Sequence, residues 1–114
     1  MLAKKLKLTD AKDFARVQET GKVFQSNSFG MAYLKRGDKE LSRFGFIVST
    51  KISKEAVDRN RSKRAMSEAV RMETVNLKEG FDIVFLAKTS ITRSSTTEIM
   101  KEVKASLKGI GLIK

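Results

Sequence analysis

The chain has 114 residues, with no Cys, His, Pro or Trp, and its 24 Lys+Arg against 13 Asp+Glu give a net charge of +11 and a pI near 10.1. A length of this order supports one modest core, so residues 1–114 are expected to form a single domain. Without thiols or imidazoles there are no disulfides and no histidine base, and zinc chemistry loses its usual ligands, whereas the excess of positive charge favours a polyanionic partner, nucleic acid first.

The opening stretch "MLAKKLKLTDAKDF" interleaves Lys with Leu and holds no secretory h-region, and no segment approaches the roughly 20 apolar residues of a membrane span. An intracellular, cytoplasmic protein is expected. Thr9 can N-cap a helix running through Thr20, with Ala11, Phe14, Ala15 and Val17 as its apolar side and Gly21 at the position after its end. Residues 29–36 alternate, with Phe29, Met31 and Tyr33 on one face and Gly30, Ala32 and Leu34 on the other. After the turn "GDKE", residues 43–50 repeat the pattern: Phe44, Phe46 and Val48 share one face, and Arg43, Gly45, Ile47 and Ser49 the other. The bulky faces predict core. The small and polar faces predict a sheet surface with room above it.

A helix follows, with Asp58 as a plausible N-cap. At about 100° per residue, Ala65, Met66, Ala69, Val70 and Met72 fall on one arc, and Asn60, Arg61, Lys63, Arg64, Ser67 and Arg71 on the opposite one. "FDIVFLAK", residues 81–88, is an apolar run of strand length that predicts a central strand. Ser95 and Glu98 have capping-box spacing and open a helix with Ile99, Met100, Val103 and Leu107 on one face, ending at Gly109. The fold class is α+β: a two-layer α/β sandwich in which helices pack a small mixed sheet, in the order α-β-β-(β)-α-β-α.

"DRNRSKR" has two readings. Most charge runs are solvated surface. Against that, four cations within six positions and no acid among them repel one another, a cost that a polyanion relieves, and Arg suits bidentate phosphate recognition. Asn60 either caps backbone or hydrogen-bonds RNA sugar or phosphate.

"RNRSKRAMSEAVR", preceded by "RFGFIVSTKIS", resembles the signature of the bacterial ribonuclease P protein component, whose pattern runs R-N-R-x-K-R with a further Arg or aromatic down the helix. "LTDAKDFARVQETG", "FDIVFLAK" and the last helix extend the resemblance over nearly the whole chain. It implies an α/β sandwich with a left-handed βαβ crossover, where the general default is right-handed. It also implies a protein subunit of the enzyme that removes the 5′ leader from precursor tRNA. The catalytic centre and its Mg2+ would belong to the large RNA, and the protein, inactive alone and monomeric in the holoenzyme, would bind RNA and leader and favour productive metal binding.

Carried over residue by residue, the resemblance implies that Arg59, Asn60, Arg61, Lys63 and Arg64 face the catalytic RNA, with Arg71 a weaker member. It implies a leader cleft between the first helix and the roomy sheet face, lined by Phe14, Val17, Gly30, Ala32, Ser49 and Lys51, with no catalytic residue and no metal ligand in the protein. Single-stranded RNA is generally held by stacking platforms beside a basic groove. The chain departs from the family in this cleft: Gln18 stands where a second aromatic is frequent, and Ala32 where Tyr is frequent. "KISKEAVD" is one residue longer than usual and has Ser in place of Gly. The alternative class is a ribosomal or general structured-RNA-binding protein without a processing role. A DNA-binding module lacks a second helix at helix-turn-helix spacing, and a self-sufficient nuclease lacks clustered carboxylates.

Overall fold

The computed structural model describes residues 2–113. Three α-helices, α1 (Ala11–Thr20), α2 (Ala56–Met72) and α3 (Thr96–Gly109), accompany four strands, β1 (Lys22–Gln25), β2 (Phe29–Lys35), β3 (Arg43–Ile47) and β4 (Phe81–Ala87). The sheet order is β1-β2-β4-β3. The β1–β2 and β2–β4 pairs are antiparallel and β3–β4 is parallel, so α2 is the crossover of a βαβ unit.

Helix α1 starts one residue later than expected, because Asp10 is the cap: its carboxylate accepts from the Lys12 amide at 2.9 Å. Gly21 does not have left-handed backbone, with φ at −78°. It is glycine because a Cβ there would lie 2.4 Å from the Val17 carbonyl oxygen and 2.6 Å from that of Tyr33. Strand β1, which follows at once, is four residues long and mostly exposed at a sheet edge, so it carries no alternation for periodicity to detect.

Strand β3 ends at Ile47, earlier than the pattern through residue 50 predicts, since Ser49 closes a turn by accepting from the Ile52 amide. Helix α2 begins two residues before Asp58. That residue sits inside the first turn and accepts from the Ser53 hydroxyl at 3.2 Å, while the Ser53 oxygen accepts from the Glu55 amide. Ala65, Met66, Ala69 and Val70 are buried as their arc predicts, but Met72 is 62% exposed because the helix ends there. Ser62 is buried in addition, its hydroxyl satisfied by the Asp58 carbonyl. Strand β4 is central, as expected. Helix α3 has both halves of the Ser95/Glu98 capping box, and its left-handed terminator is Gly111, at φ +80°, rather than Gly109.

The alternation of β2, β3 and β4 divides the apolar residues between two clusters. Phe29, Met31, Phe44, Ile83 and Phe85 meet Met66, Val70, Ile99, Val103 and Leu107 of α2 and α3 in the main core, against which Tyr33 is partly buried. Leu8, Val17, Ala32 and Val84 form a small second core on the opposite face. Helix α1 therefore covers part of the face that α2 and α3 leave free.

Candidate nucleic-acid interface

Register divides the α1 side of the sheet into three cross-strand rows. Arg43, Asp82 and Leu34 form the first, Gly45, Val84 and Ala32 the second, and Ile47, Leu86 and Gly30 the third. The second row is small because α1 rests on it. Phe14 packs so closely on Gly45 that a Cβ there would come within 2.4 Å of two ring carbons, and Val17 seals against Ala32 and Val84. In the third row Ile47 and Leu86 stay partly exposed, which opens a shelf beside Phe14.

The six expected cleft residues thus separate. Phe14 is half-buried at the shelf, and Ser49 and Lys51 are exposed in the turn that leaves β3. Gly30 is buried in the third row, next to the Gln25 side chain. Val17, on the underside of α1, and Ala32, on β2 beneath it, are sealed in the second core. Gly45, buried beneath Phe14, and the partly exposed Ile47 and Leu86 are the residues of this face that a motif comparison passes over. Their signal lies in strand alternation, which assigns all three to this face.

On α2, Asn60, Lys63 and Arg64 are exposed, and neither Lys63 nor Arg64 forms an ion pair among the described residues. Arg59 and Arg61 are half-buried. The Arg59 guanidinium donates to the Ser53 carbonyl at 2.8 Å, and that of Arg61 to the carbonyls of Ser94 and Thr92 at 3.2 and 3.4 Å. These bonds leave both positive charges unneutralised while fixing the side chains. Arg71 differs, since it donates from Nε and Nη2 to Glu68. That pairing pulls the Glu68 carboxyl below the usual carboxylate range and pushes the guanidinium up. Arg71 contributes less net charge than Lys63 or Arg64.

A groove of about 250 Å³ joins the two surfaces around the outer edge of β3. Phe14 and Gly45 line it on one side, Lys63 and Arg64 on the other, and Lys7 and Thr9 at its end. Lys7 and Thr9 arrive through the parallel bridge of Lys7 to Phe44 and the Leu8 amide's bond to the Phe44 carbonyl, a pairing between distant segments that has no local sequence mark. The groove thus combines an aromatic wall with unpaired cations, the composition that suits an unstacked RNA strand.

The first row holds a polar cluster. Asp82 is wholly buried and accepts four hydrogen bonds: from Arg43 Nε and Nη2 at 3.0 and 2.9 Å, from Arg16 Nη2 at 2.7 Å, and from Arg36. Asp13 of α1 bridges Arg16 and Arg43 at 3.1 and 3.3 Å, and Asp38 pairs with Arg36. The hydrogen bonds that Arg43 donates to Asp82 push the Arg43 guanidinium up, and that donated by Arg36 holds the Asp38 carboxyl low. Among the described residues no three acidic side chains gather to hold a metal ion, and no helix is long and apolar enough to cross a membrane.

The model of the family described as Ribonuclease P matches residues 2–111. The ribonuclease P protein component of Caldanaerobacter subterraneus subsp. tengcongensis is 34% identical over 108 residues, covering 95% of this chain and 91% of that one. The component from Clostridioides difficile is 36% identical, covering 84% and 83%. Among solved structures, the ribonuclease P protein of Thermotoga maritima superposes with a TM-score of 0.79 at 27% identity, over 90% of this chain and 96% of that one. That of Staphylococcus aureus gives a TM-score of 0.88 at 23% identity over 97% and 100%, a likeness of fold. With the strand rows, the motif helix and these matches in agreement, the chain belongs to the ribonuclease P protein family, the protein component of the ribonucleoprotein that matures the 5′ end of tRNA.

Proposed function

We propose that this protein acts within the holoenzyme as a single copy that seats the leader of precursor tRNA against a catalytic RNA. The α2 ridge of Asn60, Lys63 and Arg64, with Arg59 and Arg61 behind it, docks on the RNA subunit. The shelf beside Phe14 holds the single-stranded leader. Magnesium belongs to the RNA, and the one wholly buried carboxylate among the described residues, Asp82, is committed to its three arginines. The protein lowers the magnesium requirement by bringing compensating positive charge next to the phosphates. Its place of action is the cytoplasm, where precursor tRNA is met.

The observation that carries this reading is the groove at the β3 edge, whose lining brings Phe14 and Gly45, at the border of the shelf, together with the unpaired Lys63 and Arg64. The test is cleavage of a precursor tRNA by a bacterial ribonuclease P RNA at limiting magnesium, with and without the protein. The expected result is a large rescue with cleavage at the mature 5′ end. No rescue with several RNA subunits, alongside tight binding to unrelated structured RNA, would leave a general RNA-binding protein.

A further inference from the structure

A carboxylate sealed inside a protein is costly unless its partners are well placed, and a single one shared by three guanidiniums constrains all the elements that carry them. Asp82 is such a group, and its three arginines come from three different segments. Arg16 lies in the middle of α1. Arg43 opens β3 and engages both oxygens through Nε and Nη2. Arg36 follows β2 and also donates to the carbonyls of Glu40 and Leu41, which fixes the turn leading into β3.

The cluster adjoins the shelf through short chain connections. Arg43 is two residues from Gly45, and Arg16 is two residues from Phe14, the residue that rests on Gly45. Asp13, beside Phe14, closes the loop by bridging Arg16 and Arg43. These ion pairs hold α1 on the sheet together with the Val17 seal and the contacts of Phe14 with Gly45 and of Gly21 with Tyr33. An apolar contact alone allows sliding, whereas a buried bidentate pair has one geometry.

We propose that Asp82, which is out of reach of any RNA, is a positioning residue for the leader: through Arg16 and Arg43 it sets where Phe14 stands above the sheet. This inference rests on the reading of the Phe14 shelf as the leader site. It gives the cluster a role in substrate choice as well as in folding.

The test compares Asp82→Asn and Arg16→Gln in the assembled holoenzyme, with Phe14→Ala as control. Affinity is measured for leader-bearing precursor and for mature tRNA, and the NMR signals of the Gly45 α-protons, which the Phe14 ring displaces, are followed in the free protein. Both variants are expected to weaken precursor binding by about tenfold while mature tRNA and RNA-subunit affinity change by less than about twofold, as a misplaced contact group does. In both, the Gly45 signals move toward ordinary glycine values.

If Arg16→Gln alone weakens binding, or does so with the Gly45 signals unmoved, Arg16 is a direct RNA contact and the positioning role is overturned. Equal losses for precursor and mature tRNA also overturn it. Should Asp82→Asn fail to fold, Arg16→Gln decides, because Arg16 is 45% exposed and its helix retains the Val17 seal. A Phe14→Ala variant that does not discriminate precursor from mature tRNA removes the leader reading itself. A discriminating Phe14→Ala beside an inert Asp82→Asn removes only the inference about Asp82.

Discussion

Phe14 and Gly45 make the most demanding contact at the shelf proposed for the leader, because the ring occupies the space that any side chain on Gly45 would need. Gly45→Ala forces the ring aside, and overpacking of this kind costs roughly 1–3 kcal/mol. We expect a lower melting temperature together with a loss of precursor affinity greater than the loss for mature tRNA, checked by thermal melts and competition binding. Lys63 and Arg64 act by charge and should behave differently. Replacing both with Ala should weaken RNA-subunit assembly across RNA sequences and reduce the slope of log K against log salt by about two. An unchanged slope would place these two side chains away from phosphate. Arg71→Ala should alter the slope less, because Glu68 already holds that guanidinium.

Helix α3 is secured at both ends of its first half. The Ser95 hydroxyl accepts from the Glu98 amide and the Glu98 carboxylate accepts from the Ser95 amide; Ser95→Ala should cost about 1 kcal/mol in a denaturant melt. One turn on, Glu102 ties α3 to the turn between β1 and β2, accepting from the Ser26 hydroxyl at 2.7 Å and from the Ser28 hydroxyl and amide at 2.6 and 2.9 Å. Burial pushes this carboxyl up, but the bonds from Ser28 and Ser26, with those from the Ser28 and Asn27 backbone, outweigh it and leave it below its ordinary 4.5. A folded value below the unfolded one means that the stabilisation is complete above the ordinary glutamate range. It is lost as pH falls through the depressed folded value. Denaturant melts across roughly pH 3 to 6 should therefore show a fall toward acid that Glu102→Gln flattens.

Taken as one body, the protein carries +11 on 114 residues, and its positive side chains repel one another more in isolation than against RNA. Salt screens that repulsion and also removes the advantage of releasing counterions from RNA. Raising salt from about 50 to about 500 mM should thus raise the melting temperature of the free protein and weaken its assembly with the RNA subunit. Two parallel salt titrations check the opposite signs. A free protein that loses stability with salt would mean that pairs such as Asp82 with its arginines outweigh the global repulsion.

Local pattern was enough for much of this molecule. A bulky residue every second position marks the core faces of β2 and β3, Ser95 and Glu98 mark the start of α3, and "RNRSKR" marks the exposed ridge, because each depends only on neighbours along the chain. Strand β1 was not legible, being short and solvent-facing. Ala32 carries the right pattern for the cleft face but lies under α1, sealed by Val17, since alternation gives the side of a sheet and not what covers it. Arg16, Arg36 and Arg43 read as ordinary surface charges until β3 and β4 pair in register and α1 settles above them. Folding then places their guanidiniums around Asp82 and brings Lys7 and Phe14 into one groove with Lys63 and Arg64. Those contacts join segments far apart in the chain, and only long-range packing, with the desolvation that makes a buried carboxylate demand partners, decides them.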